Sequence, residues 1–252
     1  MILSKTIQET LPCYSEMKKH YTYINNFIKF LALANDDPTL ASMTMYMKCP
    51  KNKREFKLMT ARILICEDIS NVIKVIQDSP ETDGRKPNWK MTYIATLLFC
   101  AYSGQRPITV SRLTVGQFRK ALTTNPHVLI VDANQDKLRM AHHVPLHPVL
   151  IPYLIALVQD RPDADKMFDI MQLQDWLRIH PQSIKNTEGH LLLKDLRKFF
   201  EQKSDEVGFV DANKNYIMSH GVSSINWTSY KAFLPENVYA RYMNYWKDVK
   251  LI

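Results

Sequence analysis

The stretch Thr96-Leu-Leu-Phe-Cys-Ala-Tyr-Ser-Gly-Gln-Arg-Pro107 joins an uncharged apolar run to a glycine turn and an arginine. The apolar run ends a predicted core helix over residues 88–102, because a helix that is apolar all round is typically buried. Arg106 follows the glycine at the end of this helix, where its guanidinium would be held as a rigid fork of donors. Such a fork binds a phosphate through two parallel hydrogen bonds, which lysine does less well. The stretch therefore predicts an anion-binding arginine beside a buried helix.

Helices are expected through most of the chain, because apolar residues recur at helical spacing and only six glycines are present. The predicted helices cover residues 14–35, 67–78, 88–102, 148–158, 172–179, 190–207 and 236–249. One region differs, since residues 127–131 are apolar and β-branched and predict a strand. Residues 132–136 would form a turn and residues 137–145 the returning strand. The sequence thus predicts a mainly α fold with a small β-sheet, of the α+β class.

Two units are predicted along the chain. A small helical unit covers residues 1–56, and its first helix ends at Asp36-Asp-Pro38 because proline disfavours helix in the residue before it. Residues 57–64 form a linker, and residues 65–252 form a larger second unit. The basic segment Cys49–Lys57 has two interpretations that stay open, a DNA-contacting linker or a solvated loop.

The chain carries 33 lysines and arginines against 25 acidic residues, a formal net charge of +8. This balance favours a polyanionic partner such as nucleic acid, although a basic protein without that function has the same charge. The four cysteines are widely spaced and include no Cys-x-x-Cys pair, which predicts neither a zinc site nor a disulfide framework. No signal peptide or bilayer-length apolar run is visible, so a cytoplasmic location without a membrane partner is expected.

Six side chains are candidates for chemistry on a phosphodiester: Arg106, Lys137, Lys194, Arg197, His220 and Tyr230. Attack on a phosphodiester places negative charge on the non-bridging oxygens, and preorganised cations stabilise that charge. Each arginine can bind the phosphate through two N–H groups, with Lys194 or His220 as a further donor. Tyr230 can form a reversible phosphoester, and Lys137 on the hairpin can protonate the departing 5′-oxygen.

Each of these residues, taken singly, has an ordinary structural interpretation. Arg106 could be a helix C-terminal cap, and Lys137 a solvated turn lysine. A lysine and an arginine one helical turn apart are commonly a surface charge pair. Isolated histidines and tyrosines are more often hydrogen-bonded or packed than catalytic. The functional interpretation therefore depends on all six occurring together.

Four segments resemble the catalytic domain of the tyrosine recombinases, the phage-integrase family, and they follow one another along the chain in the order usual for that family. Ser103-Gly-Gln-Arg-Pro-Ile-Thr-Val-Ser-Arg-Leu113 resembles the first arginine box, and Lys194-Asp-Leu-Arg-Lys-Phe-Phe200 the second. Lys137 lies seven residues before Val144-Pro-Leu146, the usual offset of the family's hairpin lysine. Met218-Ser-His-Gly221, followed by Tyr230, resembles the end of the second box, where a histidine precedes the nucleophilic tyrosine. The resemblance covers roughly residues 63–250.

The resemblance implies a site-specific recombinase or integrase of a mobile element, such as a virus. Such an enzyme cuts and rejoins DNA through a covalent 3′-phosphotyrosyl bond, without a metal or ATP. The six candidates would be its catalytic residues, with Tyr230 as nucleophile. Residues 1–56 would be a complete or partial core-binding domain. The helix after Tyr230 resembles the segment that docks on a neighbouring protomer, so a homotetramer on double-stranded DNA is expected.

The chain departs from the family pattern at three positions. Lys194 stands where histidine is usual, as in archaeal viral and plasmid integrases, and keeps a cationic donor. Thr109 stands where a glutamate is common, three residues after the first arginine, so a carboxylate that would orient Arg106 is missing there. Ser219 takes the place of the glycine that usually precedes the histidine.

Three further tyrosines, Tyr239, Tyr242 and Tyr245, compete with Tyr230 as the nucleophile. The ten-residue spacing from His220 favours Tyr230, and helical spacing favours a packing role for the others. Two other functions also stay open. A type IB topoisomerase shares the chemistry but religates the same strand, and a basic DNA-binding protein with a decayed site would lack the chemistry altogether.

Overall fold

A computed structural model of the chain describes residues 6–7, 14–49, 63–83, 87–180, 190–220 and 234–252. The chain divides into two compact units, Met1–Thr60 and Ala61–Ile252. The described residues are mainly helical with one two-stranded antiparallel sheet, which confirms the predicted α+β class. The predicted linker at residues 57–64 and the basic segment Cys49–Lys57 lie largely outside the described residues. No helix in the described part of the chain combines the length and the apolar character needed to cross a bilayer.

The first unit contains a long helix, α1 (Tyr14–Ala34), and a short one, α2 (Pro38–Ser42), followed by a 3-10 turn at Met43–Met45. The Asp37 carboxylate begins α2, because it accepts hydrogen bonds from the backbone N–H groups of Thr39 (2.9 Å) and Leu40 (3.4 Å). Pro38 occupies the first helical position, where the N–H that it lacks would have no partner within the helix. The predicted end of the first helix before Pro38 is confirmed.

The second unit begins with the helices α3 (Cys66–Asp78), α4 (Trp89–Ser103), α5 (Pro107–Val110) and α6 (Val115–Thr123), and then strands β1 (Val128–Val131) and β2 (His142–Pro145). The helices that follow are α7 (Ile151–Val158), α8 (Ile170–Ile179), α9 (Leu193–Glu206), α10 (Asp211–Ile217) and α11 (Pro235–Trp246). All seven predicted helices are present, with ends displaced by no more than three residues. No prediction covers α5, α6 and α10, because such short helices have too few turns for a clear apolar period.

Helix α4 forms the centre of the second unit and packs against α3, α7 and α9. Most of its side chains are buried, as the uncharged apolar run Thr96–Tyr102 predicts. Gly104 ends the helix in the left-handed region (φ +61°), and its N–H donates to the carbonyl of Cys100 (2.9 Å). A β-carbon on Gly104 would lie 2.6 Å from the ring of Phe200 in α9. Glycine is thus required for the turn and also for the close approach of α9.

Strands β1 and β2 pair in an antiparallel register that runs from Val128 opposite Pro145 to Val131 opposite His142. The predicted returning strand is wrong for residues 137–141, because pairing begins only at His142. These residues form a turn, in which the Asp136 carboxylate accepts a hydrogen bond from the Leu138 N–H (2.8 Å). Arg139 then adopts a left-handed φ of 54°, which a strand does not allow. Lys137 therefore lies in the loop between the strands.

Helix α11 packs on its own unit. Tyr242 and Trp246 are fully buried, and Trp246 stacks on Phe200 with 4.7 Å between ring centres. The Tyr242 hydroxyl donates to the carbonyl of Tyr102 (2.9 Å), which joins α11 to the central helix. The aromatic face of this helix therefore belongs to the core of its own chain, and docking of the helix on a neighbouring protomer stays a prediction.

Candidate active site

Arg197 joins two parts of the chain that are far apart in sequence. It projects from α9, and its Nη1 donates to the carbonyls of Gly104 (2.7 Å) and Met218 (2.8 Å). Gly104 lies in the turn after α4, and Met218 lies at the end of α10. The guanidinium therefore holds these two turns together at one place in the second unit.

Arg106 lies at the same place. Its Nη1 donates to the carbonyl of Ser219 (3.1 Å), the residue next to Met218, and lies 3.5 Å from Oδ1 of Asp136. Burial and the positive charge of Arg106 together lower the pKa of Arg197 to about 10. Arg197 therefore stays protonated at neutral pH. The structure thus brings the two predicted guanidinium groups into one positively charged site.

Each arginine retains donors beyond those that hold it in position. Nη2 of Arg197 is buried and has no hydrogen-bond partner in the structure as described. Arg106 uses Nη1 for both of its contacts, and its side chain is 21% exposed. A guanidinium carries five N–H groups, so the remaining ones can serve an anion. The arginines are fixed by backbone carbonyls, which leaves the site with net positive charge.

His220 is the third predicted residue at this site. Its backbone N–H donates to the carbonyl of Asn215 (2.8 Å), and its Nδ1 faces the side-chain oxygen of Asn215 at 3.4 Å. An amide oxygen only accepts, so Nδ1 carries the proton and Nε2 is left as an acceptor. Burial lowers the pKa of His220, and the charges of Arg197 and Arg106 add to this effect. His220 is therefore a neutral imidazole that can take up a proton.

Lys137 is connected to the arginines through its neighbour in the chain, Asp136. It is exposed and lines an open pocket of about 630 Å³, whose other lining residues are Ile108, Arg112, Asn134, Asp136 and Arg139. Lys194 is also exposed, one helical turn before Arg197 in α9, and it is not part of the hydrogen-bonded cluster. Tyr230 lies outside the described residues.

The competing tyrosines are all in α11. Tyr242 is fully buried, and burial raises the pKa of its phenol well above the ordinary value. Tyr245 packs against Phe209 with 5.6 Å between ring centres, and Tyr239 is half-buried. These positions fit the packing role that helical spacing predicts for them.

Sequence reasoning missed several polar residues that build the site. The carboxylate of Asp136 is buried between Arg106 and Ser219, whose hydroxyl donates to Oδ2 (2.7 Å). Gln105 is buried beside them, and its side-chain oxygen accepts from Nε2 of His142 (3.1 Å). Asp136 and Gln105 directly precede Lys137 and Arg106 in the chain, and this adjacency is the only signal that the sequence offers for them.

The arrangement can bind an anion beside a proton acceptor and a lysine. Comparison of the chain with models of known protein families, with characterised proteins and with solved structures finds no match.

Proposed function

We propose that this chain is a DNA strand transferase of the tyrosine recombinase type, with a tyrosine recombinase-like catalytic domain in its second unit. The observation that carries the proposal is the pairing of Arg106 and Arg197 on the adjacent carbonyls of Ser219 and Met218. The two guanidinium groups lie side by side, and the carboxylate of Asp136 contacts Arg106. Their remaining positive charge suits a phosphodiester. His220, next in the chain after Ser219, supplies a proton acceptor at the same point.

The arginines would stabilise the transition state. Nucleophilic attack moves negative charge onto the two non-bridging phosphate oxygens, and cations that are already in place stabilise this charge without reorganising. The remaining N–H groups of Arg106 and Arg197 would donate to those oxygens. Lys194, one turn from Arg197 on the exposed side of α9, would add a positive charge at the rim of the site.

The reaction would form one phosphoester bond and break another. The Tyr230 oxygen attacks phosphorus, and its proton passes to Nε2 of neutral His220. The bond from phosphorus to the 5′-oxygen breaks, and Lys137 gives a proton to that oxygen. The product is a 3′-phosphotyrosyl link and a free 5′-hydroxyl. Because one phosphoester bond replaces another, the 5′-hydroxyl of a partner strand can reverse the step without ATP.

A nicked suicide substrate tests this chemistry directly. Labelled DNA with a nick next to the cleavage position loses the short 5′-hydroxyl strand after attack, so the covalent complex accumulates and is seen by denaturing electrophoresis. Digestion of the complex and mass spectrometry should identify the peptide that contains Tyr230. Tyr230→Phe should bind DNA but form no adduct, whereas the matched control Tyr239→Phe should react as the unmodified protein does. An adduct with Tyr230→Phe would refute the assignment of the nucleophile. The absence of an adduct with the unmodified protein would refute the proposed enzymatic activity.

The same protein should exchange strands between two DNA sites. Relaxation of supercoiled DNA without exchange would favour a type IB topoisomerase, and DNA binding without an adduct would favour a non-catalytic DNA-binding protein. The net charge of +8 supports duplex DNA as the partner. A homotetramer on DNA belongs to the proposal, and light scattering of the DNA complex measures it.

A further inference from the structure

We infer that Asp136 is a positioning residue for Arg106, an inference that rests on the function proposed above. The resembled family commonly carries a glutamate at position 109, where this chain has threonine. Thr109 is buried, and its hydroxyl has no hydrogen-bond partner in the described structure, so it gives Arg106 no support. Asp136 supplies a carboxylate to the same arginine from the loop between β1 and β2.

The carboxylate of Asp136 is held in place independently of Arg106. Oδ2 accepts two hydrogen bonds, one from the Ser219 hydroxyl (2.7 Å) and one from the Leu138 N–H (2.8 Å). These two bonds fix the plane of the carboxylate, whose side chain is 1% exposed. Oδ1 is thereby directed at Nη1 of Arg106 at 3.5 Å. Asp136 is thus a rigid partner that orients the arginine. Residues behind the binding groups orient those groups in the same way in other functional sites.

Each partner of Asp136 is a proposed catalytic residue or adjoins one. Arg106 binds the carboxylate itself, Ser219 precedes His220, and Leu138 follows Lys137. One side chain therefore links three turns that carry the phosphate-binding arginine, the proton acceptor and the proton donor. A change at Asp136 should alter their relative positions even though Asp136 does not contact the phosphate.

The negative charge of Asp136 is also part of this role. Burial opposes ionisation, but the hydrogen bonds from Ser219 and Leu138, with the charges of His142 and Arg106, lower the pKa of Asp136 below its ordinary value. The carboxylate is therefore ionised at neutral pH and offsets part of the repulsion between Arg106 and Arg197. Asparagine has the same shape but one acceptor oxygen and no charge, so it cannot satisfy Ser219, Leu138 and Arg106 together.

The test is a double-mutant cycle on the rate of covalent adduct formation with nicked DNA. Asp136→Asn should slow the adduct about 10- to 100-fold, the effect of misplacing one charge-assisted contact in the transition state, while the Kd for DNA changes less than about threefold. In the Arg106→Lys background, Asp136→Asn should slow the reaction less than about threefold further, because the guanidinium that Asp136 positions is already absent. Asp132→Asn, an exposed carboxylate in the same loop with the same change in charge, should react as the unmodified protein does.

Ser219→Ala removes one anchor of the carboxylate and keeps its charge, so it serves as a second test if Asp136→Asn does not fold. It should also slow the adduct, and again only where Arg106 is present. Equal slowing in both backgrounds would overturn the inference, since it would indicate a structural role that is independent of Arg106. A folded Asp136→Asn that reacts at the unmodified rate would overturn it as well. Failure of the unmodified protein to form any adduct would instead overturn the proposed function, and this inference with it.

Discussion

Replacement of Trp246 by alanine tests the packing of α11 on its own unit. The Trp246 side chain is fully buried, stacked on Phe200 and 5.8 Å from the ring centre of Tyr242. Loss of a buried aromatic ring lowers the free energy of unfolding by about 3–5 kcal/mol. The indole N–H is buried and has no hydrogen-bond partner among the described residues, so its removal recovers about 1 kcal/mol of that loss. We expect Trp246→Ala to be less stable by about 2–4 kcal/mol.

The matched variant Trp246→Phe keeps a ring on Phe200 and removes only the unpaired N–H with part of the volume. Its free energy of unfolding should stay within about 1.5 kcal/mol of the unmodified protein. Urea unfolding followed by far-UV circular dichroism measures both variants, and Asn244→Ala on the exposed side of α11 is the control. For a unit of this size the alanine variant should melt about 4–16 °C lower. A loss below about 1 kcal/mol for Trp246→Ala, or equal losses for both replacements, would refute the packing argument.

Three other perturbations test separate contacts. Gly104→Ala should destabilise the protein by about 2 kcal/mol or more, because φ is left-handed and the new methyl group meets Phe200; an unchanged urea midpoint would contradict this. Arg106→Lys should slow adduct formation about 10- to 100-fold in single-turnover assays, since lysine cannot bind Asp136 and a phosphate together, and an unchanged rate would contradict that reasoning. His147 donates through Nε2 to a backbone carbonyl (3.2 Å) and accepts at Nδ1 from the Val149 N–H (3.3 Å), so it is neutral, and burial lowers its pKa below the ordinary 6.5. The unfolded chain then binds a proton at His147 more readily than the folded chain does, so the free energy of unfolding should fall as pH drops below about 6.5. His147→Gln should reduce that fall. Greater stability in acid would contradict the assignment of His147 as neutral.

Arg106 has a carboxylate partner that is distant from it in the sequence. Thr109 leaves Arg106 without the acidic neighbour that the resembled family has in its first arginine box. Asp136 reaches the same guanidinium from a loop 30 residues further along the chain. The sequence departure at position 109 is therefore compatible with a well-oriented arginine.

The helices and the choice of candidate residues followed from the sequence. Apolar period predicted α1, α3, α7 to α9 and α11, and an uninterrupted apolar run predicted α4, which is buried on most of its faces. The glycine turn before Arg106 was also predictable, since a helix commonly ends at a glycine in the left-handed conformation. Tyr230 was chosen from spacing alone, and that choice stays a prediction because it lies outside the described residues.

Other features were decided only by the tertiary structure. The loop that contains Lys137 was predicted as a strand, because alternation does not reveal that a buried carboxylate will bind the Leu138 N–H and turn the chain. Asp136 joins Arg106 and Ser219 across 30 and 83 residues, and no local pattern encodes a contact over such distances. The sequence by itself determined which segments bury apolar surface and which polar side chains were available. Only folding decided which of those side chains share a site, because hydrogen bonds between distant turns form where packing of the helices brings them within reach.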